Sequence, residues 1–221
     1  MSNEYIAVPI EEKHNTHHFC NRRQFITSSL AITGSLLLPI KAQCTEIREM
    51  SGTVFVNRKR AGISTPIHPG DNIVTSHDGR VTFAVGDDGF MVRQDTVLKL
   101  ETDNNLLLTG LRLFTGGLLS VFGRGKDKKI ITRTATIGIR GTALYLNVEP
   151  AKTYFCTCYG ETMFTAGGER HEITSTHHDA HNIDFDETGV MSMKATEVID
   201  HTDGELRQLE SYFGRKPAFD M

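Results

Sequence analysis

Two cysteines stand one residue apart in TYFCTCYG, Thr153 to Gly160, and STHHDAHNI, Ser175 to Ile183, follows with His177, His178 and His181 around Asp179. A fourth histidine, His201, lies further on in DHTDGE. Thiolate and imidazole are the donors zinc prefers, with Zn–S bonds near ~2.3 Å. Tyr154 to Tyr159 alternates as a strand, so Cys156 and Cys158 point to one face. Their Cβ atoms would then lie about 6 to 7 Å apart. A disulfide wants about 3.8 Å, so a Cys156–Cys158 bridge needs a kink and would be strained and labile. A divalent metal spans two such thiolates more easily. In an extended segment His177, Asp179 and His181 share one face and His178 takes the other; in a helix His177 and His181 pair at i, i+4. Either geometry offers two nitrogens. A Cys2His2 set drawn from Cys156, Cys158, His177, His178, His181 and His201 suits zinc, and sulfur-rich variants suit copper or iron.

Other readings of the same residues stay open. The spacing matches no standard zinc finger, and no Cys-x-x-Cys-His is present for covalent haem. The cysteines could be small buried apolar residues beside a polar histidine loop, or one could pair with Cys44. An enzyme, such as a metal-assisted hydrolase or a thiol oxidoreductase, needs an open metal position and a general base. Asp179 is a candidate for that base, or for a partner orienting a histidine. No nucleophile–base motif accompanies it, so the reading is non-enzymatic.

The elements that must position these residues are strands. From Met50 to Ala166 the apolar period is two. Val81, Phe83 and Val85 share one side, with Thr82 and Ala84 opposite; Leu98 and Leu100, Ile137 and Ile139, and Leu144, Leu146 and Val148 repeat the pattern. Turn words separate these runs: PGD at 69–71, HDGR at 77–80, GDDG at 86–89, DNN at 103–105 and TGG at 115–117. Glycine supplies positive φ, and Asp or Asn closes local turns. Short strands at such intervals predict an all-β fold, a sandwich or a solenoid-like array. GRGKDKK, Gly123 to Lys129, lacks phosphate-loop spacing and is expected as a solvated hairpin tip. A small hairpin is expected at Ile183–Phe185 and Val190–Met193. Thr202 with Glu205 forms a capping box. Leu206, Leu209 and Phe213 follow at helical spacing, and Gly214 with Pro217 ends one short helix.

These words, in this order, resemble a FecR domain. Gly52 with Val54, Gly70-Asp71 with Ile73 to Thr75, Gly79-Arg80 and Asp88-Gly89 are similar to the family's first half. Gly116-Gly117-Leu118 resembles its Gly-Gly-Leu strand start. TATIGIRGTALYLNV, Thr134 to Val148, resembles its Arg-Gly-Thr segment, here Arg140-Gly141-Thr142. The resemblance runs from about Ser51 to Ala166 and implies a periplasmic β domain that binds a protein partner. The family's founding members regulate ferric-citrate uptake from an inner-membrane anchor, relaying a periplasmic signal to a cytoplasmic sigma factor. This chain departs from that plan, because the segment before its apolar run is too short for a sigma-binding domain. Arg140-Gly141-Thr142 itself is expected to be a bulge or tight strand start, with Arg140 in a structural hydrogen bond.

Residues 22–43, RRQFITSSLAITGSLLLPIKAQ, have the layout of an export signal: a charged start, an apolar middle and a small-residue end. The apolar run, Phe25 to Ile40, is about 16 residues and diluted by hydroxyls, against roughly 20 for a membrane span. NRRQFIT resembles a twin-arginine signal at Arg22-Arg23, which implies export of a folded chain to the periplasm. The expected organisation is residues 1–43 as export region, 44–166 as FecR-like domain and 167–221 as an extension with the histidine cluster, hairpin and helix. Membrane association is expected only with an uncleaved leader or a lipidated Cys44. Among 221 residues, Lys plus Arg number 24 and Asp plus Glu 27, so no basic face argues for nucleic acid. With Cys20 in the leader, Cys44, Cys156 and Cys158 remain. That is an odd number for an oxidising compartment.

Overall fold

Residues 47–103, 107–125, 127–150, 152–188 and 190–221 are described by the computed structural model. Residues 1–43, where the export signal is expected, lie outside them, as does Cys44. Fourteen strands join into one sheet among these residues. They are β1 Ile47–Ser51, β2 Val54–Val56, β3 Lys59–Arg60, β4 Asn72–Thr75, β5 Arg80–Val85, β6 Asp88–Val92, β7 Val97–Asp103, β8 Leu107–Val121, β9 Lys128–Ile131, β10 Ala135–Val148, β11 Lys152–Ala166, β12 Glu169–Ser175, β13 Asp179–Phe185 and β14 Met191–Ala195. One helix, α1 Asp203–Ser211, and a 3-10 turn at Ala218–Asp220 close the chain. The all-β expectation holds, and so does the C-terminal hairpin, now β13 with β14.

The strands are not uniformly short. β8, β10 and β11 run for 15, 14 and 15 residues, and the turn word TGG falls inside β8. There Gly116 takes φ +87, and a Cβ on it would lie 2.2 Å from Thr96 Oγ1. The word marks a change of partner, not a strand start: Leu107–Thr115 pairs with β7, while Gly116–Val121 pairs with β10 and its last residues with β6. The hairpin-tip expectation for GRGKDKK fails for a related reason. β8 and β9 are parallel neighbours, so the segment is a crossover. Lys128 is turned inward, 2.9 Å from the buried Asp88 carboxylate.

Alternation sends side chains to two cores. Leu118, Leu144, Leu146, Phe155 and Phe164 enter the larger one with Phe83, Val85 and Phe90. Their neighbours Leu119, Val121, Tyr145, Tyr154, Cys156 and Cys158 form a second core on the opposite face. That second face would be open if the chain ended at β14. Leu206 and Leu209 of α1, both fully buried, cover it together with Tyr212, Phe213 and Phe219. Each leucine contributes about 1.5–3 kcal/mol on burial. Gly89 lets this seat close tightly, since a Cβ there would lie 3.0 Å from Phe213 Cε2 and push that ring outward. The capping box forms as the sequence predicts, with Thr202 Oγ1 accepting from Glu205 N–H and the Glu205 carboxylate accepting from Thr202 N–H.

Two bulges shape the strand pair that carries the cysteines. On β10, Arg140 faces Glu161 and Ala143 faces Tyr159, leaving Gly141 and Thr142 opposite Gly160. Gly141 takes φ +59 there. Thr142 Oγ1 locks the bulge, donating to Glu161 O at 2.7 Å and accepting from Glu161 N–H at 3.1 Å. The bulge reading of Arg-Gly-Thr therefore holds, but its hydrogen bonds belong to the buried Thr142, and Arg140 is exposed. On β11, Ala143 faces Tyr159 while Leu144 faces Thr157, so Cys158 is the extra residue.

Candidate metal centre

The Cys158 bulge decides where the sulfurs sit. Bulges re-aim side chains by breaking strict alternation. Here Tyr154, Cys156, Cys158 and Tyr159 all reach the second core. Both cysteines are fully buried and unbridged. His178, in the β12–β13 turn at φ +54, donates its backbone N–H to Cys158 O at 2.9 Å. A non-glycine residue held in this conformation is the kind of strain that clusters at functional sites. His201, on the extended stretch between β14 and α1, stacks flat on Tyr145, with ring centroids 4.8 Å apart and planes at 19°.

Cys156, Cys158, His178 and His201 thereby converge, each offering one ligand atom, all within 4.8 Å of one another. The hydrogen bonds fix both rings. His201 Nδ1 lies 2.7 Å from Ile199 O, which can only accept, so Nδ1 carries the proton. His178 Nε2 lies 2.9 Å from Asp203 Oδ1. Burial works against the Asp203 carboxylate, but hydrogen bonds from His178 and His177 outweigh it and hold its pKa below the ordinary value. Asp203 is therefore ionised and His178 Nε2 is the donor. The remaining nitrogens, His178 Nδ1 and His201 Nε2, face each other at 3.3 Å, and His178 Nδ1 lies 3.6 Å from Cys156 Sγ. In neutral rings these are two lone pairs aimed at each other beside a buried sulfur. Only a cation between them, a proton or a metal, resolves that.

The sulfurs are unequal. The Cys156 pKa lies below the ordinary thiol value, hydrogen bonding from Cys158 being the largest cause and burial opposing it. Burial, and then the charge on Cys156, push Cys158 well above the ordinary thiol value. A pair with one thiolate in place suits a divalent cation, whose charge would favour ionisation of the second. A tetrahedral zinc site has ligand–ligand edges of about 3.3–3.8 Å from bonds near 2.0–2.3 Å, so the four atoms need only close in slightly. Protein-bound imidazoles typically fix their outer nitrogen on a carboxylate or carbonyl; Asp203 and Ile199 O hold those two positions here.

Two predicted residues stand outside this set. His181 pairs with Phe155 across the β11–β13 ladder, whereas Ala180 pairs with Cys156. One step along a strand changes the face, so His181 points away from the sulfurs, with Asp179 Oδ1 3.5 Å from its Nδ1. His177 is half exposed and turns its Nε2 to both Asp203 oxygens, at 3.0 and 3.1 Å. His177, His178 and Asp203 form a second donor group, but Arg207 already places a cation 4.0 Å from Asp203 Oδ2. The orienting role expected of Asp179 thus falls to Asp203, which sequence reasoning missed. The signal available for it was a carboxylate two residues after His201, at the first position of a capped helix.

A cavity of about 810 Å³ adjoins the centre, walled by His201, Tyr145, Arg93, Asp200 and Glu205 among others. Neither cysteine nor His178 lines it. Arg93 makes a two-pronged contact with Glu205 at 2.7 and 2.9 Å and donates to Asp200 O at 2.8 Å, closing the floor. Burial first of all drives the Tyr145 phenol up to about 12, so it is a neutral hydrogen-bonding group.

No family model matches the chain. No curated protein matches it either. Two crystal structures, at 2.50 and 1.65 Å resolution, of a protein described as a "putative anti-sigma factor" from Parabacteroides distasonis ATCC 8503 are similar to it. Each is 14% identical over 57% of this chain, with a TM-score of 0.48. The chain spans 60% of that protein's chain.

Proposed function

We propose that this chain is an exported, non-enzymatic FecR-like interaction module that engages a protein partner in the periplasm, and that Cys156, Cys158, His178 and His201 hold one structural metal in it. The observation that carries the metal reading is the facing pair of His178 Nδ1 and His201 Nε2 beside two sulfurs, with both outer nitrogens already committed. Zinc fits a closed, four-donor, sulfur–nitrogen set best. Four protein donors and full burial of the cysteines support a structural role over a catalytic one. No open position remains for substrate, and Asp179 does not reach the centre as a base.

A metal-handling reading has one observation in its favour: His201 forms a wall of the 810 Å³ cavity, so one donor lies beside a route for exchange. Elemental analysis of the folded, untagged protein beside a Cys156→Ser, Cys158→Ser double variant tests the centre. Near-stoichiometric zinc in the first and none in the second supports it. Chelator competition then separates the readings: a structural metal leaves slowly and with loss of stability, whereas a handled metal exchanges freely.

A further inference from the structure

The four donors do not belong to one piece of the molecule. Cys156, Cys158 and His178 come from β11 and the turn before β13, all part of the sheet. His201 alone comes from residues 196–221, the segment that covers the second core. That segment has little structure of its own. Its helix has nine residues, fewer than the roughly 12–15 at which an isolated helix becomes even marginal. It stays in place through contacts with the sheet: Leu206 and Leu209 in the second core, Tyr154 Oη bridging Glu197 O and Ile199 N–H at 3.2 Å each, and Arg93 on Glu205.

Building on the metal reading above, we propose that the metal is a latch for residues 196–221. With it bound, the segment is docked and the apolar face of Leu119, Val121, Tyr145 and Tyr159 is covered. Without it, the segment lifts as a unit and that face is presented. Without the metal, the two facing nitrogens and two sulfurs share only the site's own protons in place of four metal bonds, and buried polar groups short of partners are unfavourable. Two of the donors sit on β11 and the third on a turn tied to it by the His178 N–H bond to Cys158 O, so the centre relaxes by moving the fourth. His201 moving takes Ile199, the stacked face of Tyr145 and the start of α1 with it. The sheet's own ladders do not pass through residue 201 and persist, although Arg93, Tyr154 and Tyr159 give up their bonds to Glu205, to residues 197 and 199, and to Glu210.

Hydrogen–deuterium exchange on the full chain, as isolated, after chelation and after zinc is restored, tests this with metal content measured on the same samples. The expected result is bound metal, exchange at residues 198–213 faster on chelation by on the order of tenfold or more, unchanged exchange in β5, β8 and β10, and reversal by zinc. His201→Ala should show the fast pattern with or without chelator. Bound metal whose removal leaves residues 198–213 as protected as before overturns the latch while leaving the centre intact. So does removal that loosens sheet and segment together. Absence of metal from the isolated protein, with no uptake of added zinc, overturns the centre and the latch with it.

Discussion

His178 Nδ1 and His201 Nε2 face each other at 3.3 Å, and neither ring can turn its proton inward without giving up a bond outside. His201 would lose Ile199 O, and His178 would lose the Asp203 carboxylate. The residues that orient the rings therefore matter nearly as much as the donors themselves.

Asp203→Asn removes the charge that fixes His178 while keeping the shape. It should weaken metal binding about 10–100-fold, read by competition with a chromophoric chelator. The helix should persist, because Thr202 and Glu205 cap it without Asp203. Affinity equal to the parent protein would mean that Asp203 plays no part in the centre.

Arg140-Gly141-Thr142 yields opposite outcomes for its two side chains. Thr142→Val leaves the part-buried Glu161 backbone N–H without its partner and should destabilise by about 1–3 kcal/mol. Arg140→Ala, at an exposed position, should stay within about 0.5 kcal/mol. Urea denaturation of both variants checks this, and the reverse order would contradict the structural account of the motif.

Glu205 sets an acid limit. Burial alone would raise its pKa, but Arg93 and the Thr202 backbone N–H outweigh it, so the folded value lies below the ordinary 4.5. A carboxylate whose folded pKa is depressed adds stability that is present above the unfolded value and lost as pH falls through the folded one. Stability should therefore drop as pH goes below about 4.5, and Glu205→Gln should be less stable at neutral pH with a shallower acid decline. An unchanged acid slope in the variant would remove Glu205 from the set of groups responsible.

The proposed export rests on Arg22 and Arg23. Replacing both by lysine should leave the chain in the cytoplasm of a host with the twin-arginine pathway, seen by fractionation. Periplasmic accumulation of the variant would point to another route.

Much of the fold was legible because period-two alternation is local. Val81, Phe83 and Val85 fall on one face, and Thr202 with Glu205 starts a helix, whatever the rest of the chain does. The long strands were less legible, because TGG reads as a turn until the partners of β8 are known. The crossover between β8 and β9 was hidden for the same reason: a glycine-rich basic loop looks alike before a parallel and an antiparallel neighbour.

At the candidate centre, Cys156 and Cys158 were legible as a pair, but the bulge that aims them depends on β10. The histidines could not be sorted from spacing. His181 is excluded by its register opposite Phe155, and His178 is selected by a turn at positive φ; both are properties of the ladder. Asp203 was signalled only by its place two residues after His201, because it acts on His178 once the segment folds back over the sheet.

X-ray absorption at the metal edge of the untagged, folded protein tests the central claim most directly. The account predicts two sulfur scatterers near ~2.3 Å and two imidazole nitrogens near ~2.0–2.1 Å, with the nitrogen signal halved in His201→Ala. A bound metal with only nitrogen and oxygen neighbours, or one indifferent to the loss of Cys156 and Cys158, would contradict it.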